Sequence, residues 1–170
     1  MERVGDFVVL AFHDVRDAAS VHDHLKARAT RAACIDSAYI ISRLHLVVAL
    51  HRISTAPLAI GPDDSAAAAR RAAPTDLDVF AALSHTRNLH RALRRLTCSE
   101  TTRAAVIVLH APTDKDVAAV LEAVQGTQHG LSSLETYCDE AAVQDFYGVG
   151  GCEAAALEAA IVNRLSTSDL

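Results

Sequence analysis

Two short apolar runs, Phe7-Val8-Val9-Leu10-Ala11-Phe12 and Ala104-Ala105-Val106-Ile107-Val108-Leu109-His110, are the segments of this chain that read most clearly as buried strands. They lie far apart, and most of what separates them has helical spacing. A sheet must therefore be assembled from distant segments and covered by the helices between them. Ala is abundant, Trp is absent and aromatic residues make up only 4% of the chain, so the core is built from small and aliphatic side chains that let helices pack closely. The expected class is α/β, of α+β type: a small mixed sheet of three to four strands surrounded by about seven or eight helices. A chain of 170 residues fits one such domain, spanning 1–170.

The remaining segments fall into place around those strands. A helix is expected from Asp17, its N-cap, to about Ala29, with Val21 and Leu25 on one face. The apolar stretch Cys34–Ile41 leads into a helix capped by Ser42 and running to Ile53, apolar nearly all round and hence central. Residues 56–74 form a surface excursion with Pro57, Gly61, Pro62, an Ala run that Asp63 or Asp64 would cap, and Arg70-Arg71. Helices follow from Thr75-Asp76, from Asn88 to Leu96 and from Asp114 to Val124. Gly126–Gly130 reads as a turn into a third strand at Leu131–Leu134. Asp139–Tyr147 is a short helix, Gly148–Gly151 a break, and Cys152 to about Ser166 the last helix.

The chain carries 16 cations against 21 acids, a formal charge of -5, which argues against coating nucleic acid by bulk charge. It leaves room for a local basic face. Of the cations only Lys26 and Lys115 are lysines, and arginine is the better fork for carboxylate or phosphate. Cys34, Cys98, Cys138 and Cys152 form no C-x-x-C pair and read as small apolar groups in a reducing compartment. Met1–Leu10 is too short and too acidic for a secretory leader, and no apolar run approaches the roughly 18 residues of a membrane span.

The nine histidines lack metal-ligand spacing. His22 and His24 point about 200° apart on a helix, and no H-x-x-x-H or H-E-x-x-H occurs. Gly148-Val149-Gly150-Gly151 lacks the Walker lysine and the dinucleotide spacing, and suits a helix C-cap and linker. No G-x-S-x-G elbow is present. His13-Asp14, after the first strand, is the one pair that suggests a small hydrolase-like enzyme, although adjacent strand residues point opposite ways. No cofactor motif appears.

Two features stand above this background. Arg87, Arg91, Arg94 and Arg95 fall within a sector of about 100° on one helix, opposite Leu89, Ala92, Leu93 and Leu96. This is either a solvated face with acids nearby or a phosphate-contacting stripe. The last helix repeats Leu157, Ile161 and Leu165 every four residues among many alanines, with Glu153, Glu158, Asn163 and Arg164 as its polar interruptions. Either it is buried on several sides, or one face packs inward while another meets a partner.

These features sit inside a longer pattern. In order, it comprises Phe12-His13-Asp14-Val15-Arg16-Asp17-Ala18, the Ile35–Ile53 apolar region, Asp78-Val79-Phe80-Ala81-Ala82-Leu83-Ser84 with Asn88-Leu89 and Ala92-Leu93, Ala105–Val108, Val124-Gln125-Gly126 with Leu131–Leu134, and Leu157–Asp169. The chain resembles the small kinase-binding subunit of the KEOPS (EKC) complex, the PRPK-binding protein family. The resemblance implies a subunit that is not an enzyme and that binds and regulates the N-lobe of a small atypical kinase/ATPase. It also implies help in holding the 3′ CCA end of tRNA for N6-threonylcarbamoyladenosine modification at position 37, a location in nucleus and cytoplasm, and a link to telomere maintenance. Carried over by position, the kinase contacts are Leu157, Ile161, Arg164, Leu165, Ser166 and Asp169, and the tRNA contacts Arg70, Arg71, Arg87, Asn88 and Arg91. Before Thr75 the chain departs from the family, because Ala72-Ala73-Pro74 stands where more basic residues are expected. A purely scaffolding protein without RNA binding is the remaining alternative.

Overall fold

The computed structural model describes residues 1–28, 30–55, 74–86 and 88–168. The excursion at 56–73, and with it Arg70 and Arg71, lies outside the described residues, as do Arg87 and Asp169.

One antiparallel sheet organises the molecule. Its long central strand β2 (Phe7–Arg16) pairs with β4 (Ala104–His110) along one side, and β4 pairs in turn with β3 (Ala33–Asp36). Against the rest of β2 lie β1 (Glu2–Val4), opposite Phe7–Val9, and β5 (Gln125–His129), opposite Ala11–Arg16. The sheet thus has five strands rather than three to four, and all its pairings are antiparallel rather than mixed. The third strand expected at Leu131–Leu134 is a 3₁₀ segment, Leu131–Tyr137, and the strand is the Gln-Gly-Thr-Gln-His stretch before it. That stretch is an exposed edge. Backbone pairing to β2 holds it without any apolar alternation, so hydropathy does not mark it.

Alternation on the strands feeds two core layers. Phe7, Val9, Ala11, Ala33, Ile35, Val106 and Val108 face one cluster; Val8, Leu10, Phe12, Cys34, Ala105, Ile107 and Leu109 face the other. Burial on both faces explains why these strands read as unbroken apolar runs. Helices α1 (Ala18–Ala27) and α5 (Asp114–Ala123) cover the second face. Helices α2 (Arg43–Thr55), α3 (Asp76–Leu83), α4 (Leu89–Leu96), α6 (Glu140–Tyr147) and α7 (Ala154–Thr167) cover the first.

Caps fix where these helices start. Ser42 Oγ accepts from His45 N–H at 3.1 Å, as expected for α2. Thr75 and Asp78 form a reciprocal capping box on α3, as do Thr113 and Asp116 on α5. Asn88 and Asp139 cap α4 and α6. Gly148, at φ 63, closes α6 in the left-handed conformation, as the break at Gly148–Gly151 predicts.

Candidate functional site

The arrangement of α2, α6 and α7 follows from a buried polar relay. Ile41 N–H donates to His45 Nδ1 at 3.3 Å, which places the ring proton on Nε2. His45 Nε2–H then donates to Tyr147 Oη at 2.9 Å, and the Tyr147 hydroxyl donates to the Leu83 carbonyl at 2.8 Å. The relay ties α2 to the ends of α6 and α3. Burial alone pushes the His45 pKa down to about 3, so the ring is neutral in the folded protein. At the other end of α2, the Arg52 guanidinium donates to Ala82 O at 2.7 Å and to Ser168 O at 2.6 Å, fastening the C-terminus of α7.

Helix α7 corrects one expectation directly. Leu157, Ile161 and Leu165 are each 0% exposed and belong to the core with Leu46, Leu50, Val143 and Phe146. The four-residue repeat that reads as surplus apolar area is the seam by which α7 packs on α2 and α6. These three side chains anchor the helix and have no surface to offer a partner. Its outward arc is Ala155, Ala156, Ala159, Asn163 and Ser166, with Val162 half-buried beside it. Ser166 is exposed, its hydroxyl returned to Val162 O at 2.8 Å. Arg164 is exposed too, on the flank that meets the end of α6.

The apolar area that does reach solvent lies next door, on α2. Expected to be central, this helix buries His45, Leu46, Ala49, Leu50 and Ile53 and leaves Leu44 48% exposed, with Val47 and Val48 half-buried and His51 exposed. Leu44 and Val48 are one turn apart on the outer side. Ser42 shares a cavity of about 240 Å³ with Ala155 and Glu158 of α7 and with Glu135 and Glu140, while Arg52 reaches Ser168. The two helices therefore run side by side in the same direction. Val162, one turn beyond Glu158, continues that α7 flank, so Leu44, Val48 and Val162 form an accessible ribbon along the α2–α7 seam. The excess of aliphatic residues all round α2 was the signal for it; reading that excess as full burial hid it.

The stripe on α4 is partly spent. Arg95 pairs with Asp145 of α6 at 2.9 Å, and Asn88 Oδ1 accepts from Arg91 N–H at 3.1 Å. Arg91 and Arg94 are exposed and, among the described residues, have no carboxylate partner.

His13 and Asp14 do touch: His13 Nδ1–H donates to Asp14 Oδ2 at 2.8 Å. Asp14 sits at φ 53 where the β2–β5 register shifts, and Val15 N–H turns back to Arg103 O at 2.9 Å. The pair shapes a bulge. Its histidine stacks on Tyr137 at 5.4 Å, and neither residue lines any of the described cavities. A larger cavity, about 610 Å³, lies at His22, Arg31, Thr75, Asp76 and Leu77, away from this pair.

All four cysteines are free thiols. Burial, reinforced by Asp76, pushes Cys34 up to about 12, and burial also raises Cys98. Among the described residues no group of three or more His, Cys, Asp or Glu is placed to hold a metal ion, and no helix is long and apolar enough to cross a membrane.

A family model described as kinase binding protein CGI-121 matches residues 12–169. No curated protein matches the chain.

Proposed function

The chain belongs to the CGI-121 family of kinase-binding proteins, and from that premise we propose that it is the non-catalytic subunit of a KEOPS (EKC) complex that binds and regulates a small atypical kinase/ATPase. In this reading it also helps recruit tRNA, through the 3′ CCA end, for N6-threonylcarbamoyladenosine modification, in nucleus and cytoplasm.

The observation that carries the kinase reading is the ribbon Leu44–Val48–Val162. Monomeric proteins seldom leave a large aliphatic side chain half open beside a packed helix seam, and a ribbon of this kind with a polar rim suits a partner helix or sheet. Leu157, Ile161 and Leu165 contribute by holding α7 in place. Asn163 and Ser166 supply the rim. The RNA reading leans on Arg91; Asn88 acts by starting α4 at the right point, since its side chain is used as the cap.

The test is copurification of the kinase with Leu44→Glu and Val162→Glu. Both sites are open, so the variants fold, and a charge in an interface core abolishes capture. Undiminished capture by the double variant refutes the placement. RNA capture is tested separately, with a CCA-ended tRNA.

A further inference from the structure

The chain has more acids than bases, and several of its arginines use them: Arg28 with Glu122, Arg43 with Glu2, Arg95 with Asp145. Arg91, Arg94 and Arg164 do not, among the described residues, and all three are exposed. They converge on one place. Arg94 follows Arg91 by three residues on the outer arc of α4. The His85 ring packs edge-on to Phe146 at 5.6 Å and against Tyr147 at 5.7 Å, at the end of α6. The next residue, Gly148, lies under Arg164: a Cβ built there would stand 3.5 Å from its Nη2. Burial first, then the nearby charges of Arg164 and Arg91, hold the protonated form of His85 down. Two guanidiniums from different helices thus flank a neutral ring, repelling one another with no described acid to offset them.

We infer that Arg91, Arg94 and Arg164 form one anion-binding face, running from α4 across the end of α6 to α7, that takes the phosphodiester backbone of a single-stranded RNA. The inference deepens the RNA reading above and rests on it. It moves Arg164 from the kinase contacts to the RNA contacts, because Arg164 lies on the flank of α7 toward α6, whereas Glu158 and Val162 lie toward α2. Guanidinium forks match phosphate oxygens, and a bound phosphate relieves the repulsion between the arginines. The chemistry also separates RNA from an acidic protein partner. The exposed large hydrophobic residues are Met1, Leu44, Leu77 and Leu121, none of them on this face, so it lacks the apolar anchor that a protein interface is built around.

The experiment is a fluorescence-polarisation titration of a labelled CCA-ended RNA oligonucleotide with the full chain at several salt concentrations. It compares wild type with Arg91→Ala, Arg94→Ala, Arg164→Ala and Arg164→Lys, alongside kinase copurification for the Arg164 variants. Each alanine variant is expected to weaken binding several-fold and to reduce the slope of log K against log salt by about 0.7. Arg164→Lys keeps the slope, and both Arg164 variants keep the kinase. If Arg91→Ala weakens binding while Arg164→Ala matches wild type, the RNA reading stands and the inference falls. If Arg164→Ala loses the kinase instead, the face belongs to a protein interface and the inference falls. If the wild-type chain gives no RNA signal, the RNA reading fails and takes the inference with it.

Discussion

Lowering the pH from 7.5 to 5 should destabilise this protein by about 2 kcal/mol through one side chain, His45. Its ring is fully buried, with its pKa lowered from 6.5 to about 3, because Nδ1 is committed as an acceptor and the site excludes water. The unfolded chain takes up a proton below pH 6.5, and the folded chain does not until far lower. The unfolded state therefore binds more protons across this window, and stability falls as pH falls. With a 6.5 reference and negligible protonation of the folded ring at pH 5, linkage gives RT ln(1 + 10^1.5), about 2 kcal/mol. His85, also depressed but less buried, adds a smaller amount in the same direction. Asp116 is depressed from 3.8 by its Thr113 partner, so its own loss of stability begins only in more acid solution. The assay is urea denaturation at the two pH values. At roughly 1–3 kcal/mol per molar, the midpoint should drop by about 1 M. His45→Gln removes the titration and should leave only the small His85 contribution. An equal pH response in wild type and His45→Gln would refute the relay as the source.

Other outcomes follow from the same packing. Leu157→Ala should cost about 2–5 kcal/mol by opening a cavity in the α2–α7 seam, read by denaturation, whereas Leu44→Ala should change stability by less than about 1 kcal/mol. Thr75→Ala removes both halves of the α3 capping box and should cost about 0.5–2 kcal/mol. Tyr147→Phe strips the partner from both His45 Nε2–H and the Leu83 carbonyl and should cost about 2–4 kcal/mol. Gly126→Ala should loosen β5, because the new Cβ would sit 2.9 Å from the His13 carbonyl oxygen; faster amide exchange at Ala11–His13 is the readout.

Much of the fold is legible from the residues because local signals and burial agree. Phe7–Phe12 and Ala104–His110 are apolar on both faces, and both faces are covered. Ser42, Thr75, Asn88 and Asp139 lie where helices start and bond the amides that would otherwise be orphaned. What stays hidden depends on contacts that hydropathy does not encode. β5 is polar and held by backbone pairing alone, while Leu131 and Leu134 are buried by a 3₁₀ turn whose apolar residues imitate a strand. The same ambiguity displaced the candidate surface. An apolar repeat such as Leu157–Ile161–Leu165 looks alike whether it faces the interior or a partner, and only the position of α2 beside it decides. Arg164 reads from sequence as a neighbour of the kinase contacts, yet helical rotation carries it to the opposite flank, over Gly148.

The most direct measurement of the central claim is hydrogen–deuterium exchange of the full chain, free and saturated with its purified atypical kinase. Slowed exchange in the peptides covering Arg43–Thr55 and Ala154–Thr167, with α4 unchanged, is the result expected for docking along the α2–α7 seam. Slowing confined to α4 or to the His13–Asp14 bulge, or none anywhere at saturating kinase, would contradict it.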